Sequence, residues 1–144
     1  MYFCDRLFKY YSELSGDSMK LIQGKKALIV DDNKMNLKLL DSLLRECGYH
    51  SVWSLNGEDA LKQVLECEFD IIFMDHMMPD YDGIETTNDI RQLRGQYYQK
   101  IPIIALTTNS FVGTRDMFLQ CGFNDAMAKP VTLQEVKEML FRWC

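Results

Sequence analysis

The run Ala27-Leu28-Ile29-Val30-Asp31-Asp32-Asn33 decides how this 144-residue chain is read. Four apolar residues in succession fit a strand buried on both faces, and a pair of acids then closes it. Two more runs have the same form: Phe69 to Met74 ends at Asp75, and Ile101 to Leu106 ends at Thr107. His50 to Leu55 and Asp125 to Ala128 are weaker strand candidates, the second ending at Lys129.

Helical periods fill the gaps. Met35, Leu39, Leu40, Leu43, Leu44 and Cys47 recur at helical spacing, with Gly48 where a C-terminal cap belongs. Asn56 can cap a second helix with Ala60, Leu61, Val64 and Leu65 on its apolar face, and a third starts near Gly83. The last opens with Thr132 and Glu135 in capping-box spacing and carries Leu133, Val136, Met139, Leu140 and Trp143. From Lys25 onward five βα units can be counted, the pattern of an α/β domain built on a parallel sheet. Residues 1–24 stand outside the alternation as an extension, with Phe3, Leu7, Tyr11 and Leu14 at helical spacing before Ser15-Gly16-Asp17-Ser18.

With 47% hydrophobic and 26% charged residues the chain is ordinary globular material, and its length suits one domain. A net charge of -5 gives no footprint for nucleic acid or an anionic membrane surface. Five scattered cysteines form no C-x-x-C pair, which fits thiols in a reducing cytosol rather than a zinc or redox site. No apolar run is long enough to cross a bilayer and no signal peptide opens the chain, so it reads as cytoplasmic.

The polar residues that end the runs carry the chemistry. In an open parallel sheet the ligand site lies just outside the carboxyl ends of the strands, so Asp31, Asp32, Asp75, Thr107 and Lys129 should converge. Three gathered carboxylates repel one another and call for a cation; oxygen ligands without Cys or His point to Mg2+. The Thr107 hydroxyl and Lys129 ammonium then complete a pocket for a tetrahedral dianion, the ingredients of phosphoryl transfer.

Val30-Asp31-Asp32-Asn33, Met74-Asp75 with Met78-Pro79, Asp82-Gly83, Ala105-Leu106-Thr107 and Lys129-Pro130 together resemble the response-regulator receiver domain of two-component systems. The match spans about residues 25 to 144, and its pieces stand in the right order. Asn36, Asp75-His76-Met77-Met78-Pro79 and Cys121-Gly122-Phe123-Asn124-Asp125 look most like receivers of hybrid sensor histidine kinases. The resemblance implies a three-layer, doubly wound (βα)5 flavodoxin-like fold with all-parallel strand order 2-1-3-4-5. It implies Asp75 as the phosphoacceptor nucleophile, Asp32 and Asp75 as direct Mg2+ ligands, Asp31 as a ligand through water, and the Met77 carbonyl as another. The implied partner is a histidine kinase or histidine phosphotransfer domain, with an unknown output partner or dimer meeting the fourth helix, fifth strand and fifth helix of the five units. The domain itself would be no multiple-turnover enzyme, although its parent protein could be a kinase. Only 14 residues follow Pro130, too few for an output domain.

Plainer readings stand beside these. Asp31 and Asp32 could be helix-start acids, Asp75 a turn residue before Pro79, and Lys129 a surface lysine. Thr107 could cap a helix, yet Thr108, Asn109 and Ser110 offer the same service. His76 reads as a bystander, and Phe111, Met117 and Phe118 as core or partner surface. Asp80, Asp82 and Gly83 partly mimic a calcium loop, but Met78 stands where its first carboxylate belongs.

Two positions depart from the family. Ala126 replaces the usual Phe or Tyr three residues before the lysine, which puts the switch between site and surface in doubt. Thr108 replaces a small residue and could narrow access to a phosphoryl group, or simply suit a strand end. The alternative function is a receiver-like interaction module whose switch is altered or lost. A Mg2+-dependent phosphatase would need its own acid or base beside the nucleophile.

Overall fold

A computed structural model of the chain describes residues 25–108 and 114–144. The readings placed on residues 1–24, on the Asn109 and Ser110 caps and on Phe111 lie outside the described residues. Strands β1 (Lys26–Val30), β2 (His50–Ser54), β3 (Ile71–Asp75), β4 (Ile103–Thr107) and β5 (Asp125–Ala128) form one sheet. Every pairing is parallel and the order is β2-β1-β3-β4-β5, as expected from the sequence. The helices are α1 (Lys34–Glu46), α2 (Gly57–Glu66), α3 (Gly83–Gln92), a short α4 (Gln96–Lys100), α5 (Thr114–Gln120) and α6 (Leu133–Trp143).

Alternation along the strands divides the core in two. Leu28 and Val30, Ile72 and Met74, and Ile103 and Ala105 point to one face, where Ala60 and Val64 of α2, Ile90 of α3 and Phe118 of α5 cover them. Ala27 and Ile29, Ile71 and Phe73, and Ile104 and Leu106 point to the other, beneath Leu37, Leu40 and Leu44 of α1 and Val136 and Leu140 of α6. Neither face meets water, which is why the central strands carry unbroken apolar runs.

Side-chain caps start the helices where the sequence placed them. Asn56 accepts from the Asp59 N–H (2.8 Å) and Thr132 from that of Glu135 (3.3 Å). Gly48 ends α1 with φ 84, a left-handed turn that glycine adopts freely.

Three details differ from the sequence reading. The strands begin at Ile71 and Ile103 rather than Phe69 and Ile101, because those two are buried against Tyr97: its hydroxyl takes the Phe69 N–H and its carbonyl the Ile101 N–H. Leu55 is exposed, and β2 stops at Ser54. On α1 the buried stripe is Leu37, Leu40, Asp41 and Leu44, whereas Met35 (71%) and Leu39 (43%) face outward. Asp41 is tolerated inside because it accepts from the Ser51 hydroxyl and pairs with Arg45 at 3.3 Å.

Candidate functional site

Register explains how residues far apart in sequence meet. Val30 lies beside Met74, Asp75 beside Leu106, and Thr107 beside Ala128, so the next residue of each chain segment emerges at one end of the sheet. Asp31 extends β1 by one more ladder bond, its N–H donating to the Ser54 carbonyl at 3.1 Å. Asp31, Asp75 and Thr107 are buried (1%, 4% and 3% exposed), while Asp32 and Thr108 face solvent.

Lys129 binds the group together. Its N–H donates to the Thr107 carbonyl (2.8 Å), and its Nζ reaches both Asp31 Oδ2 (2.9 Å) and Asp75 Oδ1 (3.1 Å). The Lys129-Pro130 bond is cis. Backbone donors also hold the two buried acids: Asn33 N–H donates to Asp31 Oδ1 (2.9 Å), and Met77 N–H to Asp75 Oδ1 (3.3 Å), the oxygen that Lys129 also meets. Burial, together with the neighbouring Asp31 charge, lifts the Asp75 carboxyl above its ordinary range against the pull of Lys129. Burial by itself would lower Lys129, but its hydrogen bond to Asp31 and the Asp75 charge outweigh that and hold the ammonium above its usual value.

One ligand oxygen from each of Asp31, Asp32 and Asp75 lies within 4.8 Å of the others. An all-oxygen set of three acids with a single ammonium suits a hard divalent cation, and Mg2+ fits the donor chemistry. All five strand-end residues picked from the sequence thus share one end of the sheet.

The sequence reading gave no role at the site to two of its supports. Asn33 caps α1 through its side chain (2.9 Å to Met35 N–H) while its N–H fixes Asp31, a dual role whose only sequence signal is its place after the acids. A Cβ at Gly83 would stand 2.1 Å from the Asp75 carbonyl oxygen and 2.8 Å from His76 Cα, so only glycine lets the loop close on Asp75. His76 turns away from the acids and meets Phe118 edge-on at 5.1 Å, and Phe118 meets Phe123 likewise at 5.3 Å. Ala126 packs against that same cluster.

Comparison with known proteins places this arrangement. A family model described as response regulator receiver domain matches residues 27–141. Hybrid signal transduction histidine kinase E of Dictyostelium discoideum is 39% identical over 122 residues, covering 83% of this chain and 7% of that protein. The histidine-protein kinase BarA of Escherichia coli K12 is 36% identical over 116 residues, 81% of this chain and 12% of its own length. The chain therefore spans only a small part of these relatives. Among solved structures, the receiver domain of a sensor histidine kinase from Pseudomonas aeruginosa PAO1, with magnesium coordinated in its active-site cleft, is 36% identical with TM-score 0.75. The alignment covers 83% of this chain and 97% of that one. A Saccharomyces cerevisiae receiver domain, solved with the histidine phosphotransfer protein upstream of it, matches at 28% identity and TM-score 0.73, over 83% and 89% of the two chains. The chain belongs to the response regulator receiver domain family of two-component and phosphorelay signalling.

Proposed function

We propose that Asp75 accepts a phosphoryl group from a phosphohistidine on a histidine kinase or histidine phosphotransfer domain. The observation that carries this is the double ion pair of Lys129 with Asp31 and Asp75 at the carboxyl ends of the strands. An Asp75 carboxylate oxygen attacks phosphorus, the P–O bond forms as the P–N bond breaks, and the departing imidazole nitrogen keeps the electron pair. Lys129 and the Thr107 hydroxyl each hold a phosphoryl oxygen.

Asp31, Asp32, Asp75 and the Met77 carbonyl would hold Mg2+, whose charge offsets that of the phosphoryl oxygens. Support comes from the closeness of the three acids and from the magnesium in the Pseudomonas receiver. The raised Asp75 carboxyl fits a site prepared for an added cation.

The phosphodonor would approach over the exposed Met35 and Leu39 of α1, the second of which lines a hollow with Pro130 and Lys129, a placement that suits an apolar helical partner. The output surface would be α5, β5 and α6, where Met117 and Leu119 are exposed, used by a partner or a second copy. We place the domain at residues 25–144 and in the cytoplasm, where ATP-dependent kinases load histidine; the parent protein would be a hybrid kinase, as in the Dictyostelium and Escherichia relatives. Thr108 and Ala126 tune lifetime and readout.

Transfer from a radiolabelled phosphotransfer protein to the chain tests the assignment. Label should pass to wild type, withstand neutral pH briefly and be lost in alkali, and should not pass to Asp75→Asn. Equal labelling of Asp75→Asn would place the acceptor elsewhere.

A further inference from the structure

Helix α5 (Thr114–Gln120) buries a single side chain, Phe118, which is wholly shielded from solvent. Met117 and Leu119 on either side of it are exposed, at 43% and 37%. A second tie runs from Arg115 Nε to Asp125 Oδ1 at 2.7 Å. The seat of α5 on the sheet therefore depends on what surrounds Phe118.

Two aromatic rings do so. Phe123 meets Phe118 with ring centroids 5.3 Å apart and planes at 74°, and His76 meets it at 5.1 Å and 72°. Edge-to-face pairs of this kind have a preferred geometry, so a shift of one ring is felt by the other. Phe123 comes from the turn that ends α5, whereas His76 is the residue after Asp75. His76 Nδ1 is buried and has no hydrogen-bond partner among the described residues. Packing against Phe118, rather than a hydrogen bond at that nitrogen, holds the ring.

The His76 backbone is tied to the site on both sides. Its N–H donates to the Leu106 carbonyl at 3.2 Å, one residue before Thr107, and its carbonyl accepts from the Gly83 N–H at 3.1 Å. On the same face of the sheet, Ala105 and Ala126 stand side by side in register, within the core cluster that holds Phe118. Two methyl groups have no ring to swing, whereas a close-packed cluster of rings passes a displacement on.

We propose that His76 carries the phosphorylation of Asp75 to α5. When the Thr107 hydroxyl is drawn to a phosphoryl oxygen, the Leu106 carbonyl shifts the His76 backbone and the imidazole moves against Phe118. The helix then presents Met117 and Leu119 differently to a partner. His76 is a positioning residue and takes no part in the transfer. This route rests on Asp75 being the acceptor.

The test uses the 144-residue chain as wild type, His76→Ala and His76→Phe, each incubated with excess phosphoramidate and Mg2+. Intact mass and hydrogen exchange of residues 114–120 are recorded on the same samples. All three proteins should gain one phosphoryl group. Phosphorylation should change exchange of residues 114–120 by at least about tenfold in wild type and in His76→Phe, which keeps a ring against Phe118, and by less than about twofold in His76→Ala. A phosphorylated His76→Ala chain that responds as wild type does overturns the route and leaves the acceptor standing. Unchanged exchange in phosphorylated wild type does the same, as does a His76→Phe chain that fails to restore the response. A wild type that gains no mass removes the acceptor and the His76 route together.

Discussion

Lys129 Nζ at the end of β5 stands 3.1 Å from Asp75 Oδ1 at the end of β3. Because the same nitrogen lies 2.9 Å from Asp31 Oδ2, one ammonium offsets two buried carboxylates. Lys129→Met leaves both uncompensated, and breaking a buried pair in this way costs roughly 3–5 kcal/mol. Urea melts in EDTA should show most of that loss, and millimolar Mg2+ should return part of it. Equal stability of the two proteins in EDTA would contradict the pairing.

The reverse holds for Asp75. Its carboxyl lies above the ordinary range, so at neutral pH its ionised form opposes folding in the absence of metal. Asp75→Asn should therefore melt higher than wild type in EDTA while gaining less from Mg2+. In wild type, Mg2+ at a hundredfold over its Kd should add about 2.7 kcal/mol, and Asp32→Ala should erase most of that gain. An Asp32→Ala variant that gains as much as wild type would remove Asp32 from the ligand set.

Gly83 answers to Asp75 through the backbone. A Cβ there meets the Asp75 carbonyl oxygen and His76 Cα, neither of which can swing aside. Gly83→Ala should lose roughly 1–3 kcal/mol as an overpacked site does, and its phosphorylation rate should fall further than its stability explains. A variant as stable as wild type would mean the loop yields freely.

Asp125 anchors the α5, β5 and α6 face. Its buried carboxylate takes Arg115 Nε (2.7 Å), Arg142 (2.7 Å) and Trp143 Nε1 (3.0 Å). Burial pushes its carboxyl up, but these donors and the Ala126 N–H more than reverse that and bring it to about 2. A depressed folded value stabilises the protein above the unfolded value near 3.8 and is lost as pH falls toward 2, a contribution of about 2 kcal/mol. Stability followed between pH 5 and 2.5 should drop less steeply in Asp125→Asn than in wild type; identical slopes would contradict the anchor.

Thr108 stands exposed next to buried Thr107, at the mouth of the site. A β-branched side chain there should hinder the approach of water to a phosphoryl group on Asp75. The acyl phosphate of Thr108→Ala should then decay faster, and an unchanged lifetime removes the role.

The strand-end residues were legible because buried parallel strands announce themselves as apolar runs, and whatever polar residue ends a run lands at the carboxyl end of the sheet. Asp31, Asp75 and Thr107 could be found that way. The α1 stripe was not: leucines fill Leu37, Leu39, Leu40 and Leu44 alike, and only the packing decides that Leu37 is buried and Leu39 exposed. Asp41 inside that stripe is invisible to hydropathy, since its burial depends on Ser51 and Arg45 from different positions. Nor does sequence reveal why Gly83 is glycine, because the contact that demands it comes from Asp75 across the loop. The edge-on contact of His76 with Phe118 likewise joins residues over 40 positions apart, and with the Phe118–Phe123 contact it fills the face on which Ala126 offers only a methyl group.

Incubating the chain with phosphoramidate and Mg2+ and recording the intact mass tests whether Asp75 is the acceptor. Wild type should gain one phosphoryl group, with the modified peptide containing Asp75, and should gain none in EDTA; Asp75→Asn should gain none in either condition. A wild-type chain that stays unmodified with Mg2+ present, or an Asp75→Asn chain that gains the same mass, would contradict the account.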